Sequence, residues 1–299
     1  MVGTIFYSIQ ISLLAFCLTS RFLSADEPTL ILNAESIPDV LPSNFRASSD
    51  PVALMSRTAG LDTLQCSGSA QFSREGLKSI LERLPTTDPV RVIDLRRESH
   101  GFVNGMAVSW YNPKDWSNQG FTLHQVEHDE NRRLATLLKT GDVMIYKVTA
   151  KDEDGAINGS TPLRILVRSV SDEQNLTQQM QLAYTRFLVT DHRRPTDDTV
   201  NTFIQLVRHL PQGIWLHFHC AGGDGRTTTF MCMYDMMRNA KSVSFEAIIA
   251  RQAALGGYNM AHMPPEGAWK YPYFYERYAF LQNFYQYCLA NKDNFQTPW

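Results

Sequence analysis

The chain has 299 residues, 43% of them hydrophobic and 19% charged, a balance that fits one large or two modest globular domains and excludes disordered and collagen-like classes. Its formal net charge of -2 removes any global electrostatic case for nucleic-acid binding, so an anionic ligand has to be held by a local concentration of Arg and Lys.

The first 25 residues carry an apolar stretch from Ile5 to Leu18 and then Leu23-Ser24-Ala25, which resembles a signal-peptidase site. The expectation is an exported protein, periplasmic or secreted, with no stable membrane association. No Lys or Arg precedes Arg21, and a buried N-terminal helix is the other reading of such a run. Leu14-Ala15-Phe16-Cys17 is similar to a lipoprotein site, but Phe16 is larger than the small residue expected there, which argues against lipid anchoring at Cys17. Without Cys17 the chain keeps Cys66, Cys220, Cys232 and Cys288, and a Cys66–Cys288 disulfide is an option open to an exported protein.

Residues 26–50, rich in Pro, Ser and Asn, read as an extended arm. Ser73 is placed to cap a helix in which Leu77, Ile80, Leu81 and Leu84 recur at helical spacing. Residues 89–96 form a short β-branched run typical of a buried strand. Residues 140–150 and 161–170 are two further strand candidates around an Asp-, Gly- and Asn-rich turn, suggesting a small inserted β element. A strand then ends at Asp191, and residues 195–210 read as a helix with Val200, Phe203, Ile204, Val207 and Leu210 on one face. Residues 213–219 are a strand, and residues 226–239 a helix apolar on most faces, hence buried, with an inert Cys232. This order predicts an α/β domain around a central sheet.

Between that last strand and helix lies the loop His219-Cys220-Ala221-Gly222-Gly223-Asp224-Gly225-Arg226-Thr227. A helix start offers unpaired N–H groups and a positive dipole end. Gly222, Gly223 and Gly225 let the chain curl until its amides converge on one point, a nest for phosphate. Arg226 adds a planar fork for two phosphate oxygens, and the same positive surroundings favour the thiolate at Cys220. His-Cys-x-x-Gly-x-x-Arg-Thr is the signature of cysteine-dependent phosphatases. Two other readings stand beside it: a glycine turn with a structural thiol, and a metal site from His217, His219 and Cys220, although Cys220 points to the opposite strand face from the histidines. Asp224 sits awkwardly in an anion loop unless its carboxylate points outward. His219 is suited to ordering the loop by a hydrogen bond. For a general acid, Asp191 at its strand end competes with Asp197 and Asp198, which suit the first turn of a helix capped by Thr196.

Beyond the loop, the sequence resembles the protein tyrosine phosphatase-like inositol polyphosphatases, or cysteine phytases. The loop with residues 215–220 and 225–228 matches; residues 189–196, with Asp191 29 positions before Cys220, look like the family's general-acid loop; residues 94–116, 251–258, 268–277 and 285–299 resemble further family blocks. The likeness covers most of residues 40–299. It implies a phosphatase-type α/β core with a central sheet flanked by helices in one domain, 26–299, with a small partial β-barrel inserted around 116–180. It also implies stepwise removal of phosphates from inositol hexakisphosphate and other inositol polyphosphates, with neither metal nor cofactor. Cys220 would be the nucleophile, Asp191 the acid, and Arg226 with the amides of Ala221, Gly222, Gly223, Asp224 and Gly225 the phosphate cradle, while Thr227 eases thiolate departure. By motif position the resemblance gives substrate contacts to His192, Lys270, Arg277 and Arg46 and to the acidic pair Glu98 and Asp115, which can accept from inositol hydroxyls or orient basic residues; Lys151 aligns less clearly. Phe274 stands where the family pattern suggests Tyr. A phosphotyrosine phosphatase and a catalytically silent inositol phosphate-binding module are the competing functions, and the sequence leaves the oligomeric state open.

Overall fold

The computed structural model describes residues 28–51 and 59–299, so the expected leader with Cys17 lies outside it. The chain runs through β1 (Thr29–Ala34), β2 (Arg46–Ala47), β3 (Cys66–Ser69), α1 (Arg74–Arg83), β4 (Val90–Arg96), β5 (His100–Val103) and β6 (Met106–Tyr111). It continues with α2 (Leu123–Thr140), β7 (Asp142–Lys151), β8 (Ile157–Leu166), β9 (Val170–Ser171), α3 (Glu173–Gln179) and β10 (Ala183–Val189). Last come α4 (Asp197–Arg208), β11 (Trp215–His219), α5 (Gly225–Asn239), α6 (Phe245–Ala254) and α7 (Tyr271–Ala290).

The central sheet has the order β10-β4-β11-β3-β2, parallel except for the short β2. Parallel strands need both faces covered, and β4 and β11 are buried along almost their whole length, polar residues included. On one side Phe187, Phe203, Phe218 and Phe230 meet the Met-rich α5, with α4, α6 and α7 around it. On the other, Leu77, Ile80 and Leu84 of α1 pack on Val90, Val92 and Trp215. Ser73 caps α1 by accepting from the Gly76 amide, as its position suggests. The strand ends at Val189 and His219 therefore emerge at the same edge of the sheet, on either side of β4, each feeding a loop that precedes a helix.

The second sheet has the order β8-β7-β1-β6-β5-β9. It is larger than the strand pair the sequence suggests, and it reaches outside residues 116–180 at both β1 and the β5–β6 hairpin. The stretch read as an arm supplies β1, which pairs antiparallel to β6 and meets β7 at Ile31 and Tyr146. A lone hairpin such as β7–β8, with Ile145 its one fully buried residue, does not hold itself together, and β1 and β6 complete the face that covers Ile145, Val103 and Val108. Asn104-Gly105, with φ of 53° and 82°, makes the tight turn between β5 and β6. The four described cysteines are buried free thiols, so Cys66 and Cys288 do not form the optional disulfide. Among the described residues no helix is long and apolar enough to cross a membrane.

Candidate active site

Cys220 leaves the end of β11 and is 3% exposed. The carbonyls that follow all turn back onto the protein body. Gln71 N–H donates to Ala221 O at 3.1 Å, Asn44 Nδ2 to Gly222 O at 2.8 Å and Arg46 Nη1 to Gly223 O at 2.9 Å. In a trans peptide the next N–H points opposite to the carbonyl, so the amides of Gly222, Gly223 and Asp224 face the other way, toward the cavity above Cys220. The first amides of α5 add to that field. Gly223 has φ +76°, and a Cβ there would lie 2.3 Å from Ala70 N, so no other residue fits. At Gly225 a Cβ would lie 2.7 Å from Arg277 Nη1, the far end of a side chain, so a residue there would displace Arg277 rather than the loop backbone. Gly222 meets neither constraint, since its nearest neighbour would be Asp224 Oδ2 at 3.6 Å. Thr227 Oγ1 donates to Cys220 Sγ at 3.2 Å.

Arg226 is 1% exposed. Its Nη1 and Nη2 donate to the two oxygens of Glu98 at 2.7 and 3.0 Å, and Nη1 also reaches Val189 O at 3.1 Å. That pairing fixes the plane of the guanidinium and leaves its Nε–Nη2 edge for an anion; Nε makes no hydrogen bond and lies 3.1 Å from Asp191 Oδ1. Burial opposes the charge, but Asp191 and Glu98 hold Arg226 well above its ordinary value. Arg226 and Arg96 likewise hold Glu98 far below the carboxylate range in spite of its burial.

Asp191 is set by aromatic packing. Its carbonyl accepts from Trp116 Nε1 at 2.9 Å, and Arg193 lies over the rings of Trp116 and Tyr273. His192 takes a left-handed φ of 65°, puts Nε2 3.2 Å from Asp191 Oδ2, and meets Trp269 edge-on at 4.9 Å. Burial, with Lys270, Arg226 and Arg277 nearby, pushes His192 down to about 4, so its ring is neutral near pH 7.

Asp191, His192, Cys220, Gly222, Asp224, Gly225, Lys270 and Arg277 thus line one cavity of about 210 Å³, closed on one side by Tyr258 and Phe274. A cleft of about 450 Å³ elsewhere, between Arg74, Phe102, Arg168 and Leu176, holds no nucleophile. Arg277, 3% exposed, rests on the Phe274 ring at 4.5 Å and has no acidic partner. Lys270 lies over Trp269, and Lys151, stacked on Tyr111 at 3.8 Å, is within electrostatic reach of Asp115, Asp191 and Lys270. Asp224 turns its carboxylate to Asn44 Nδ2 at 3.1 Å, and partial burial raises it above its ordinary value.

Three of the expected substrate contacts do not line the cavity. Arg46, 1% exposed, braces the loop from behind, with Nη2 on Thr228 Oγ1 at 2.9 Å, and does not reach the cavity. Glu98, fully buried, orients Arg226 and Arg96 and offers nothing to an inositol hydroxyl. Asp115 is buried behind Arg226, 3.9 Å from Nη2; burial and Glu98 push it well above the carboxylate range. His219, fully buried, bonds Glu173 Oε1 at 2.6 Å from below the loop. His217 bonds Ser67 and Ser69, so His217, His219 and Cys220 do not form a metal site. Asp197 pairs with Arg194 in the first turn of α4 behind its Thr196 cap, and neither it nor Asp198 lines the cavity. Asn44, Gln71, Glu173 and Trp116 escape sequence reasoning because each acts through a fold contact; only Trp116, beside Asp115 in a distinctive block, carries a local signal.

A family model for protein tyrosine phosphatase-like phytases, described by the words inositol hexakisphosphate, matches residues 93–238. A phytase of this kind from Bdellovibrio bacteriovorus superposes with a TM-score of 0.71 at 36% identity, covering 91% of this chain and 93% of that one. The myo-inositol phosphatase of Mitsuokella multacida, solved with myo-inositol-(1,3,4,5)-tetrakisphosphate, superposes with a TM-score of 0.82 at 34% identity over 91% of this chain and 48% of its own. The effector protein hopD2 of Pseudomonas syringae pv. tomato is 33% identical over 262 residues, 86% of this chain and 55% of the effector. The chain thus spans about half the length of these last two.

Proposed function

Because the chain belongs to the protein tyrosine phosphatase-like phytase family, we propose that it hydrolyses phosphate monoesters of inositol polyphosphates, inositol hexakisphosphate among them, through a phosphocysteine intermediate. The observation that carries this reading is the cavity in which Cys220 lies beneath converging amides, with Asp191 beside it and Lys270 and Arg277 on its wall without acidic partners. Cys220 Sγ attacks phosphorus as the bond to the inositol oxygen breaks, and Asp191 gives that oxygen its proton. The loop amides and the free edge of Arg226 hold the equatorial oxygens throughout. Water then attacks the phosphocysteine, Asp191 takes its proton, and the P–S bond breaks toward a thiolate that Thr227 Oγ1 stabilises. Phosphates leave one at a time, since only one can occupy the nest. A polyanion suits walls rich in cations better than a phosphotyrosine ring does, and a binding module has no use for a thiol set under a phosphate cradle. We place the protein outside the cytoplasm on the strength of its leader-like first 25 residues.

Phosphate release from inositol hexakisphosphate in the presence of a chelator tests the reading, with a phosphotyrosine peptide run in parallel. Turnover should persist under chelator, favour the inositol substrate, and fall by at least about 10⁴-fold in Cys220→Ser. A preference for the peptide, or an active Cys220→Ser, would overturn it.

A further inference from the structure

Cys220 and Arg226 stand at opposite ends of the loop, yet their supports meet underneath it. His219 Nε2, one residue before the thiol, donates to Glu173 Oε1 at 2.6 Å. Gln71 Nε2 donates to the other Glu173 oxygen at 2.9 Å, and Gln71 Oε1 accepts from Arg96 Nη1 at 2.8 Å. Arg96 Nε then bonds Glu98 Oε1 at 2.7 Å, and Glu98 grips Arg226. The backbone N–H of Gln71 also holds Ala221 O. All six side chains are at most 3% exposed. They come from six places in the fold: the ends of β4 and β11, the starts of α3 and α5, and the segments just after β3 and β4.

From this geometry we propose that Gln71 is a positioning residue that fixes the nucleophile and the phosphate-binding arginine relative to one another; this rests on the phosphatase reading above. Glu173 needs a donor and Arg96 an acceptor, and a neutral amide meets both demands in a single orientation. A carboxylate at position 71 would face Glu173 with like charge, and an apolar side chain would break the link, leaving Arg96 Nη1 only Asn33 and Glu173 Oε2 only His100 at 3.4 Å. Gln71 touches no part of the cavity, so its effect falls on the geometry of the reacting groups, in kcat more than in KM.

The test pairs Gln71→Met with the near-isosteric Gln71→Glu and uses p-nitrophenyl phosphate and inositol hexakisphosphate as substrates. A substrate-independent readout accompanies them, the rate at which iodoacetate alkylates Cys220. At about pH 8 both variants should lose roughly tenfold or more in kcat with KM within about twofold, and Gln71→Glu should alkylate more slowly than the parent. On lowering the pH to about 5, a carboxyl beside Glu173 takes up a proton and donates as the amide did, so the ratio of Gln71→Glu to parent rises toward one while Gln71→Met stays low. A constant Gln71→Glu ratio across that range, or a Gln71→Met with parental kcat, overturns the proposal. A parent protein inactive on both phosphate esters would overturn the phosphatase reading instead, whatever the alkylation rates.

Discussion

The floor of the cavity and its rim solve opposite problems. Below the loop, charges are buried and matched: Glu98 holds Arg226 and Arg96, Glu173 lies against His219 and His100, and Arg186 bridges Asp94 and Glu130. On the rim, Arg277 and Lys270 rest on Phe274 and Trp269 and, among the described residues, form no ion pair, Asp191 acting on Arg277 only across the cavity. Aromatic faces stabilise a cation without neutralising it, whereas a carboxylate does both. The floor is therefore preorganised and indifferent to solution conditions near neutrality, and the rim keeps positive field for an incoming anion.

The comparison breaks most visibly at Arg226. Arg226→Lys keeps the charge but loses the fork that serves Glu98 and phosphate at once, and should lower kcat by roughly 10³-fold on any phosphate monoester. A loss confined to inositol substrates would move Arg226 to the rim class. Rim substitutions are expected to discriminate. Arg277→Met and Lys270→Met should each cost about tenfold in kcat/KM on inositol hexakisphosphate, fading as salt rises, and about twofold or less on p-nitrophenyl phosphate, which brings no second phosphate. Equal losses on both substrates would erase the distinction.

The smallest expected effect concerns stability, and two histidines of the floor illustrate it. Burial pushes His217 down to about 3, so the folded state resists a proton that the unfolded chain accepts below the ordinary imidazole value of 6.5. Stability from this group is complete above 6.5 and is lost as pH falls toward 3. His100 behaves inversely: although burial opposes its charge, Asp94 raises it to about 9, so its contribution is complete below 6.5 and is lost as pH rises through 9. The thermal midpoint should then peak near pH 6.5 and fall by roughly 5 °C on each side, as a melting series across pH will show. A profile flat from about pH 4 to 9 would mean that the floor is wetter than its burial suggests.

Much of the site was legible because its chemistry is compressed into nine consecutive residues, His219 to Thr227, where loop, nucleophile and fork must follow one another in the chain. The helices around it were equally readable from apolar spacing and from the caps Ser73 and Thr196. The second sheet was harder. Its strand β1 carries no strong pattern of its own and is made a strand by pairing with β6 and β7, although the Asn104-Gly105 turn was a usable signal for the neighbouring hairpin.

The sequence by itself determined that this chain builds a glycine-rich loop between a strand and a helix with a thiol at one end and an arginine at the other, since local backbone geometry and residue type suffice for that. Tertiary structure alone decided which charges face the cavity. Arg46 and Arg277 are both nearly buried arginines near the loop, yet one spends its donors on loop carbonyls and the other keeps them for a ligand. Sequence cannot separate them, because the difference lies in which partners the fold brings within 3 Å, and buried charge is governed by partners.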